Sequence, residues 1–302
     1  MKQRIIVITG PTATGKTALG AIIANEVGGE VVSADSMQVY KYMDIGTAKP
    51  TADEMLGIPH HMIDVVTPME DYSVARYVSA AAACIDDIAR RGKIPLIVGG
   101  TGLYIDSLLS GRWFSPKGNS SLRRELEARY DDIGGDAMLR ELGGVDPVSA
   151  EKLNANDKKR IVRALEIYKT TGKTISQHDR ETKAIPPRYE ALKIALTFQE
   201  RAALYARIDN RVDVMMAAGF EGEVRRLLDM GVPAGCTAMQ AIGYKELTGA
   251  IRGEYGVEEA TEMIKASSRR YAKRQLTWLR RDQSVKWITV PGGLHETERF
   301  LH

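Results

Sequence analysis

Cysteine is scarce in this chain of 302 residues, and its two cysteines, Cys84 and Cys236, form no Cys-x-x-Cys pair. The sequence therefore offers neither a disulfide framework nor a cysteine-based zinc site, and it favours a reduced compartment. Long apolar runs are missing too, since none approaches the ~20 residues that a membrane-spanning helix requires. From these two absences we expect a cytoplasmic protein with no membrane partner.

An acidic residue is missing where motor and switch nucleotide hydrolases hold Mg2+. The apolar strand Ile94–Val98 runs into Gly99-Gly100-Thr101, with no Asp or Glu close behind. Hydrolases of those classes place a carboxylate at the end of such a strand. Its absence disfavours them and favours a small-molecule kinase or a transferase whose leaving group is a diphosphate.

Overall charge is also small, at +3, but it is unevenly distributed. Residues Lys265–Trp287 contain eight basic side chains and one acid, Asp282, so this segment carries +7 and the remaining chain −4. Such asymmetry favours a polyanionic partner, although a solvated helix face with paired charges would have the same composition.

What the sequence does contain is a phosphate-binding loop between an apolar strand and a helical stretch. Backbone N–H groups of such a loop point at an anion, its lysine adds a positive charge, and the following hydroxyl is suited to Mg2+. The sequence therefore predicts binding of a di- or triphosphate. The loop consists of Gly10, Pro11, Thr12, Ala13, Thr14, Gly15, Lys16 and Thr17.

Strands and helices alternate over the first hundred residues. Ile5–Thr9, Glu30–Ser33 and Pro95–Val98 are expected to be strands, with His61–Val66 as a further candidate, and Ser73–Arg91 is expected to be helical. This alternation predicts an α/β fold, a nucleotide-kinase-like parallel sheet with helices on both faces. Ligands of such sheets collect at the carboxyl ends of the strands.

The pattern changes near Trp113, where a loop is followed by helical segments without strands. We therefore expect a core formed by residues 1–113 and 190–302, with a helical insertion at 114–189. Strands are expected again at Lys193–Phe198 and Val285–Val290, and the rest of the second core segment is mainly helical. Nothing in the sequence requires a dimer, and we expect a monomer.

Four side chains are candidates for chemistry, two that follow strands and two on a predicted helix. Asp35 follows the second strand, where it could accept a proton or join the Mg2+ shell, or simply cap a helix. Thr101 could donate a hydroxyl hydrogen bond to a substrate, or lie in a plain turn. Arg207 and Arg211 share one helix face and suit a diphosphate, or pair with acids such as Asp209.

Two basic segments are candidates for nucleic-acid contact. One is Asp157–Arg163 in the insertion, and the other is Lys265–Trp287, where Tyr271, Trp278 and Trp287 interleave with the charges. Basic residues mixed with aromatic ones are typical of RNA contact, although the aromatic rings could equally belong to the core.

Taken together, the motifs resemble those of the bacterial tRNA dimethylallyltransferases, and the resemblance follows the family order along nearly the whole chain. The phosphate loop is common to many families, whereas the combination is specific. The matching segments are Gly10–Thr17, Asp35–Tyr40, Met43–Pro50, Pro59–Asp64, Val98–Tyr104, Asn156–Glu166, Ala241–Lys245 and Arg274–Leu279.

The resemblance implies transfer of a dimethylallyl group from dimethylallyl diphosphate to N6 of the adenosine at tRNA position 37, in tRNAs that read codons beginning with U. Asp35 would be the general base, Thr101 a substrate contact and Arg211 a diphosphate ligand together with Arg207. Thr17 would bind Mg2+, and the insertion would grip the anticodon stem-loop.

The resemblance also implies a set of tRNA contacts. They are Asp35, Ser36, Met37, Gln38, Thr101, Arg123, Lys159, Arg160, Ile161, Val162, Arg163, Gln240, Ala241, Ile242, Gly243, Tyr244 and Lys245. Three other functions stay open at this point: a small-molecule kinase, a prenyltransferase acting on free AMP, and an RNA-binding module without catalysis.

Overall fold

A parallel six-stranded sheet is present in the computed structural model of the protein, which describes residues 2–111 and 120–290. The strand order is β3-β2-β4-β1-β5-β6, and every neighbouring pair is parallel. The predicted α/β class with helices on both faces is confirmed. The strands are β1 Arg4–Thr9, β2 Gly29–Ser33, β3 His60–His61, β4 Ile94–Val98, β5 Glu190–Phe198 and β6 Lys286–Val290.

Successive side chains of β1 pack against helices on opposite faces of the sheet. Val7 packs into a cluster with Tyr77 and Ile85 of α2, whereas Ile8 belongs to a cluster with Ala24 of α1. Successive side chains of a strand point to opposite faces, so a strand that is apolar throughout requires helices on both sides. The covering helices are α1 Lys16–Val27, α2 Val74–Arg90 and α3 Gly102–Ser110.

The described residues divide into two compact units. The core unit comprises residues up to Leu109 and from Arg188 onward, and the inserted unit comprises Ser110–Pro187. Five helices form the inserted unit and enclose their own apolar core around Leu126, Met138 and Leu165. They are α4 Ser120–Ile133, α5 Gly135–Val145, α6 Pro147–Ala150, α7 Lys158–Thr171 and α8 Ile175–Lys183.

The carboxyl-terminal part of the core unit is mainly helical, as the sequence predicted. Its second apolar cluster includes Tyr40 and Met43 beside Val224 and Leu247. The described helices of this part are α9 Arg201–Ala217, α10 Phe220–Asp229, a short 3-10 helix Ala238–Gln240, α11 Tyr244–Ile251 and α12 Val257–Leu279. No helix among the described residues is long and apolar enough to cross a membrane.

The candidate strand His61–Val66 was predicted too long, because only His60 and His61 pair with β2. Met62 and Asp64 have φ angles of 65° and 56°, which lie outside the extended region and break the ladder. Val66 then forms only an isolated bridge to Tyr40.

Helix α8 was not anticipated, although the sequence contains a signal for its start. The Thr174 hydroxyl accepts from the N–H of Gln177, and the Gln177 side chain accepts from the N–H of Thr174. This reciprocal pair is a capping box, and its Thr-x-x-Gln spacing is readable from sequence.

The buried carboxylate of Glu223 connects α10 to the chain that follows β2. It accepts hydrogen bonds from the N–H groups of Asp44, Ile45 and Gly46 at 2.8 to 3.1 Å. The Tyr244 hydroxyl donates to the same carboxylate at 2.6 Å. Because four donors depend on one 2%-exposed acid, its removal would leave several polar groups unsatisfied in the interior.

We predict that Glu223→Ala lowers the free energy of unfolding by about 3 kcal/mol or more, because buried donors lose a charged acceptor. The control is Glu221→Ala on the same helix, which removes only an i,i+4 pair with Arg225 and should cost less than about 1 kcal/mol. Urea unfolding measures both variants. Equal losses would show that Glu223 is not a structural hub.

Candidate active site

A cavity of about 320 Å³ opens in the core unit at the carboxyl edge of the sheet. The phosphate loop follows β1, Asp35 comes just after β2, and Gly99 follows β4, so three neighbouring strands deliver these residues to one place. Residues from four parts of the chain form the polar side of the cavity: Thr12, Lys16, Thr17, Asp35, Ser36, Arg211, Arg274 and Gln275.

The phosphate loop has the backbone that an anion cradle requires. Gly15 is left-handed at φ 83°, directly before α1, and Ala13 adopts φ 65°. The Thr14 hydroxyl donates to the carbonyl of Pro11 at 2.9 Å and fixes the curve of the loop. A Cβ on Gly10 would lie 2.7 Å from the carbonyl oxygen of Leu196, so only glycine fits there.

Lys16 and Arg211 place two cations against this cavity. The pKa of Lys16 is lowered to about 8, chiefly by desolvation and then by the charge of Arg211, against the opposing effect of Asp35. Desolvation likewise lowers the pKa of Arg211. Within the described residues, neither cation has a carboxylate at ion-pair distance. Such a pair favours a multiply charged anion, which would restore the charge of Lys16.

The Asp35 carboxylate lies in a turn after β2, not at a helix start, which removes the N-cap interpretation. Its Oδ1 accepts from the N–H of Met37 at 2.9 Å, and the side chain is half-buried on the cavity wall. The pKa of Tyr271 nearby is raised to about 12, first by desolvation and then by the Asp35 charge. The Asp35 carboxylate therefore lies on the cavity wall, close enough to Tyr271 to affect its pKa.

Thr101 does not line the cavity in the described structure, although it lies directly behind it. Its Oγ1 accepts from the N–H of Ser36 at 3.0 Å and donates to the Ser36 hydroxyl at 3.4 Å. Tyr271 also interacts with Thr101. The hydroxyl thus holds the backbone next to Asp35, a role that sequence reasoning did not assign.

Gln275 was missed as a site residue, although its segment was noted for family resemblance. Its Oε1 accepts from the N–H of Thr12 at 2.9 Å, and its Nε2 donates to the carbonyl of Gly100 at 2.8 Å. One amide on α12 therefore joins the phosphate loop to the loop after β4. Sequence alone does not show which distant helix supplies such a bridge.

The two arginines expected to bind diphosphate have different surroundings. Arg211 lines the cavity, whereas Arg207 does not and instead donates its Nε proton to the carbonyl of Ala13 at 3.1 Å. Arg207 therefore supports the phosphate loop from outside the cavity. Asp209 pairs with Arg269 at 2.5 Å, so it does not neutralise Arg211, contrary to the alternative considered above.

An apolar wall faces the cations, and sequence reasoning did not identify it. Ile208, Val212 and Met215 project from α9 on the face that also carries Arg211. Their spacing of four and three residues is the signal that could have identified this face. The wall is completed by Phe220, Ile242 and Ile264. The cavity is thus amphipathic, with charge at the phosphate-loop end.

The two core segments expected to contact tRNA also form part of this cavity. Seven of their residues besides Asp35 line it, while Gly243 and the exposed Lys245 do not. Gln38 is largely committed to the fold, since its amide donates to the carbonyls of Thr47 and Ala48. The lining residues are Ser36, Met37, Gln38, Gln240, Ala241, Ile242 and Tyr244.

The remaining tRNA candidates lie in the inserted unit. Ile161 and Val162 are buried in its apolar core, so their side chains are not offered to a partner. Arg123 and Arg163 both donate to Oε2 of the fully buried Glu166, at 2.8 and 2.9 Å. Lys159 and Arg160 are exposed.

The basic segment Lys265–Trp287 is only partly neutralised. Lys265 pairs with Asp213 and Glu262, and Arg269 pairs with Asp209. The other six of its eight cations have no carboxylate at ion-pair distance in the part of the chain that the structure describes. This favours the polyanionic partner over a fully paired helix face.

Comparison with known proteins identifies relatives along nearly the whole chain. A model of the IPP transferase family matches residues 38–282, and an isopentenyl transferase model matches residues 3–68. A tRNA dimethylallyltransferase of Acetivibrio thermocellus is 47% identical over 287 residues, covering 95% of this chain and 91% of that protein. Its counterpart in Geobacter metallireducens is 46% identical, covering 96% and 94%.

Solved structures agree with these matches. The full-length tRNA isopentenylpyrophosphate transferase of Bacillus halodurans has a TM-score of 0.71 and 42% identity, with 96% of this chain and 90% of that chain covered. A eukaryotic dimethylallyltransferase acting on tRNA has a TM-score of 0.79 and 34% identity, with coverage of 92% and 70%. The chain therefore belongs to the IPP transferase family, among the tRNA dimethylallyltransferases.

Proposed function

We propose that this protein transfers the dimethylallyl group of dimethylallyl diphosphate to N6 of the adenosine at tRNA position 37, in tRNAs that read codons beginning with U, and releases diphosphate. The observation that carries the proposal is the amphipathic cavity. It combines two cations, a carboxylate without an ion-pair partner among the described residues, and an apolar wall.

The diphosphate would bind at the charged end, where the N–H groups of the phosphate loop and the side chains of Lys16 and Arg211 converge. Negative charge grows on this group as the allylic C–O bond breaks. Cations fixed in advance in a desolvated cavity stabilise that charge more than they stabilise the bound substrate. Arg207 would contribute indirectly, through Ala13 of the loop.

The prenyl chain would lie against the apolar wall formed by Ile208, Val212, Met215 and their neighbours. A branched five-carbon group gains from burial there at roughly 25 cal/mol per Å² of apolar surface. A kinase that transfers phosphate between polar substrates has no use for such a wall beside its phosphate loop.

Asp35 would accept the proton that the adenine amine loses. The lone pair of N6 is delocalised into the ring, so attack requires an allylic carbon that already carries positive charge. The new N6–C1 bond forms as the C1–O bond breaks, the electron pair leaves on the diphosphate, and the N6 proton passes to Asp35. Thr101 would act by holding the turn that carries this carboxylate.

Oxygen donors in the cavity fit a Mg2+ ion. Thr17 and Asp35 both line it, and no cluster of three or more acidic, His or Cys side chains suited to a metal exists among the described residues. Mg2+ commonly takes few protein ligands and completes its shell with phosphate oxygens and water. When bound, it would supply neutralisation of diphosphate charge, with the Thr17 hydroxyl as its protein ligand.

RNA as the acceptor is supported by the names of the relatives and by the uncompensated charge of Lys265–Trp287. An adenine inside an anticodon loop must leave its stack to enter a cavity, as in other base-modifying enzymes. The tRNA candidates in both units would hold the stem-loop, except for Ile161 and Val162, which are buried.

The proposal is tested by incubating the protein with Mg2+, radiolabelled dimethylallyl diphosphate and unmodified tRNA, with AMP as a parallel acceptor. Label is expected in tRNA alone, on the adenosine at position 37. Label in AMP alone would instead support a free-nucleotide prenyltransferase. Phosphate transfer from ATP without prenyl transfer would support a kinase.

We predict that Asp35→Asn lowers turnover by about 100-fold or more, because the amide cannot accept the N6 proton. tRNA affinity should remain within about threefold, since the amide keeps the shape of the side chain. Asp53→Asn, at an exposed carboxylate outside the cavity, is the control and should leave both quantities unchanged. Wild-type turnover in Asp35→Asn would exclude the base assignment.

A further inference from the structure

A second cavity, of about 430 Å³, lies entirely within the inserted unit between α6, α7 and α8. We call it the insertion pocket. Its volume lies at the lower end of the ~300–1,000 Å³ typical of sites for small organic groups. Val148, Leu153, Ala164 and Ile175 give it apolar walls. Neither the catalytic chemistry nor the core cavity uses it.

The walls of the insertion pocket are held in place by Asp146, which is only 2% exposed. Its Oδ1 accepts from the N–H of Ser149 at 3.1 Å, at the start of α6. Its Oδ2 accepts from the Ser149 hydroxyl at 2.6 Å and from the N–H of Ser176 in α8 at 3.1 Å. One buried carboxylate thus joins two walls, so the pocket exists before any ligand binds.

Cations surround the insertion pocket. Lys152, Lys159 and Arg180 line it and have no carboxylate at ion-pair distance among the described residues. Arg160 also lines it, with Asp157 as a partner at the long distance of 3.8 Å. Arg163 lines it as well and pairs with Glu166.

The charge balance of the insertion pocket is positive. Against its five lining cations there is one lining carboxylate, Asp179. A pocket with apolar walls and cations around its opening is complementary to a ligand that has a flat apolar ring linked to negatively charged groups. A nucleotide of a single-stranded RNA loop has this form, because its base presents apolar faces and its flanking phosphates carry the charge.

We propose that the insertion pocket binds one unstacked nucleobase of the RNA substrate, a base other than the one that is modified. Its apolar walls contact the base, and the surrounding cations contact the phosphates on either side. This inference rests on the proposed function only in that the acceptor is an RNA. A protein with this pocket reads the loop at two points, one in each unit.

Val148 supplies the variant that separates the base contact from the phosphate contacts. It is 42% exposed at the pocket, so Val148→Asp is tolerated by the fold while it places a carboxylate against the base. Ile133→Asp is the matched control, because Ile133 is 41% exposed in the same unit but does not line the pocket. Thermal melting of both variants checks that they fold alike.

In the full-length protein, Val148→Asp should raise the KM for unmodified tRNA about tenfold and leave kcat and the KM for dimethylallyl diphosphate unchanged. Ile133→Asp should leave all three unchanged. Lys159→Ala should also raise the KM for tRNA, and it should reduce the salt dependence of binding because a phosphate contact is lost.

A double-mutant cycle then identifies the base. Anticodon stem-loops with one abasic nucleotide at a time are titrated against the wild type, Val148→Asp and Val148→Asn. Removal of the base at one position should lower the affinity of the wild type about tenfold. The same removal should change the affinity of both variants little, because their contact with that base is already missing. Independent effects at every position would overturn the proposal.

Prenyl transfer to tRNA and base binding in the insertion pocket can each fail without the other. If the wild type transfers no prenyl group to tRNA, the proposed function fails, whereas the cycle still tests whether the pocket binds a base. If the wild type is active but Val148→Asp behaves like Ile133→Asp, the insertion pocket does not bind a base and the proposed function is unaffected.

Discussion

The side-chain amide of Gln275 is the contact on which the geometry of the core cavity depends. It joins the N–H of Thr12 to the carbonyl of Gly100, and thereby connects two loops that leave neighbouring strands. The same helix, α12, is fixed to α9 through Arg269 and Asp209. Because α9 carries Arg211, the position of this cation relative to the phosphate loop depends on α12. The anion site is therefore built by tertiary contacts as much as by the loop itself.

Uncompensated charge is the second constraint. Most buried charges in this protein have partners, as Glu30 has in Arg91 and Lys93, and as Glu166 has in two arginines. Lys16 and Arg211 lack such partners among the described residues and remain partly desolvated. An arrangement of this kind costs stability in the free protein and is favourable only when an anion binds. Asp35 lies close enough to raise the pKa of both cations but is not at ion-pair distance from either of them.

Short-range features of the fold and of the site could be predicted from the sequence, whereas contacts between distant parts of the chain could not. The phosphate loop, the alternating strands and Asp35 at a strand end follow from short-range patterns, and the structure places them as expected. Gln275 and the separation of Arg207 from the cavity depend on how α9 and α12 pack, which helical spacing alone does not determine. The short strand at His60–His61 reflects two left-handed residues, Met62 and Asp64, that have no glycine to reveal them.

Proton uptake on diphosphate binding is the most direct test of the charged cavity. With a pKa of about 8, Lys16 is half-protonated at pH 8, and a bound anion raises that pKa. Proton uptake is measured by calorimetry with Mg2+ and inorganic diphosphate, in buffers of different ionisation enthalpy. At pH 8 the wild type should take up about half a proton more than Lys16→Arg, because the arginine is already charged before the anion binds. Affinity of the wild type should fall as the pH rises above 8. Equal proton counts in the two proteins would show that Lys16 is not the desolvated cation on which the site depends.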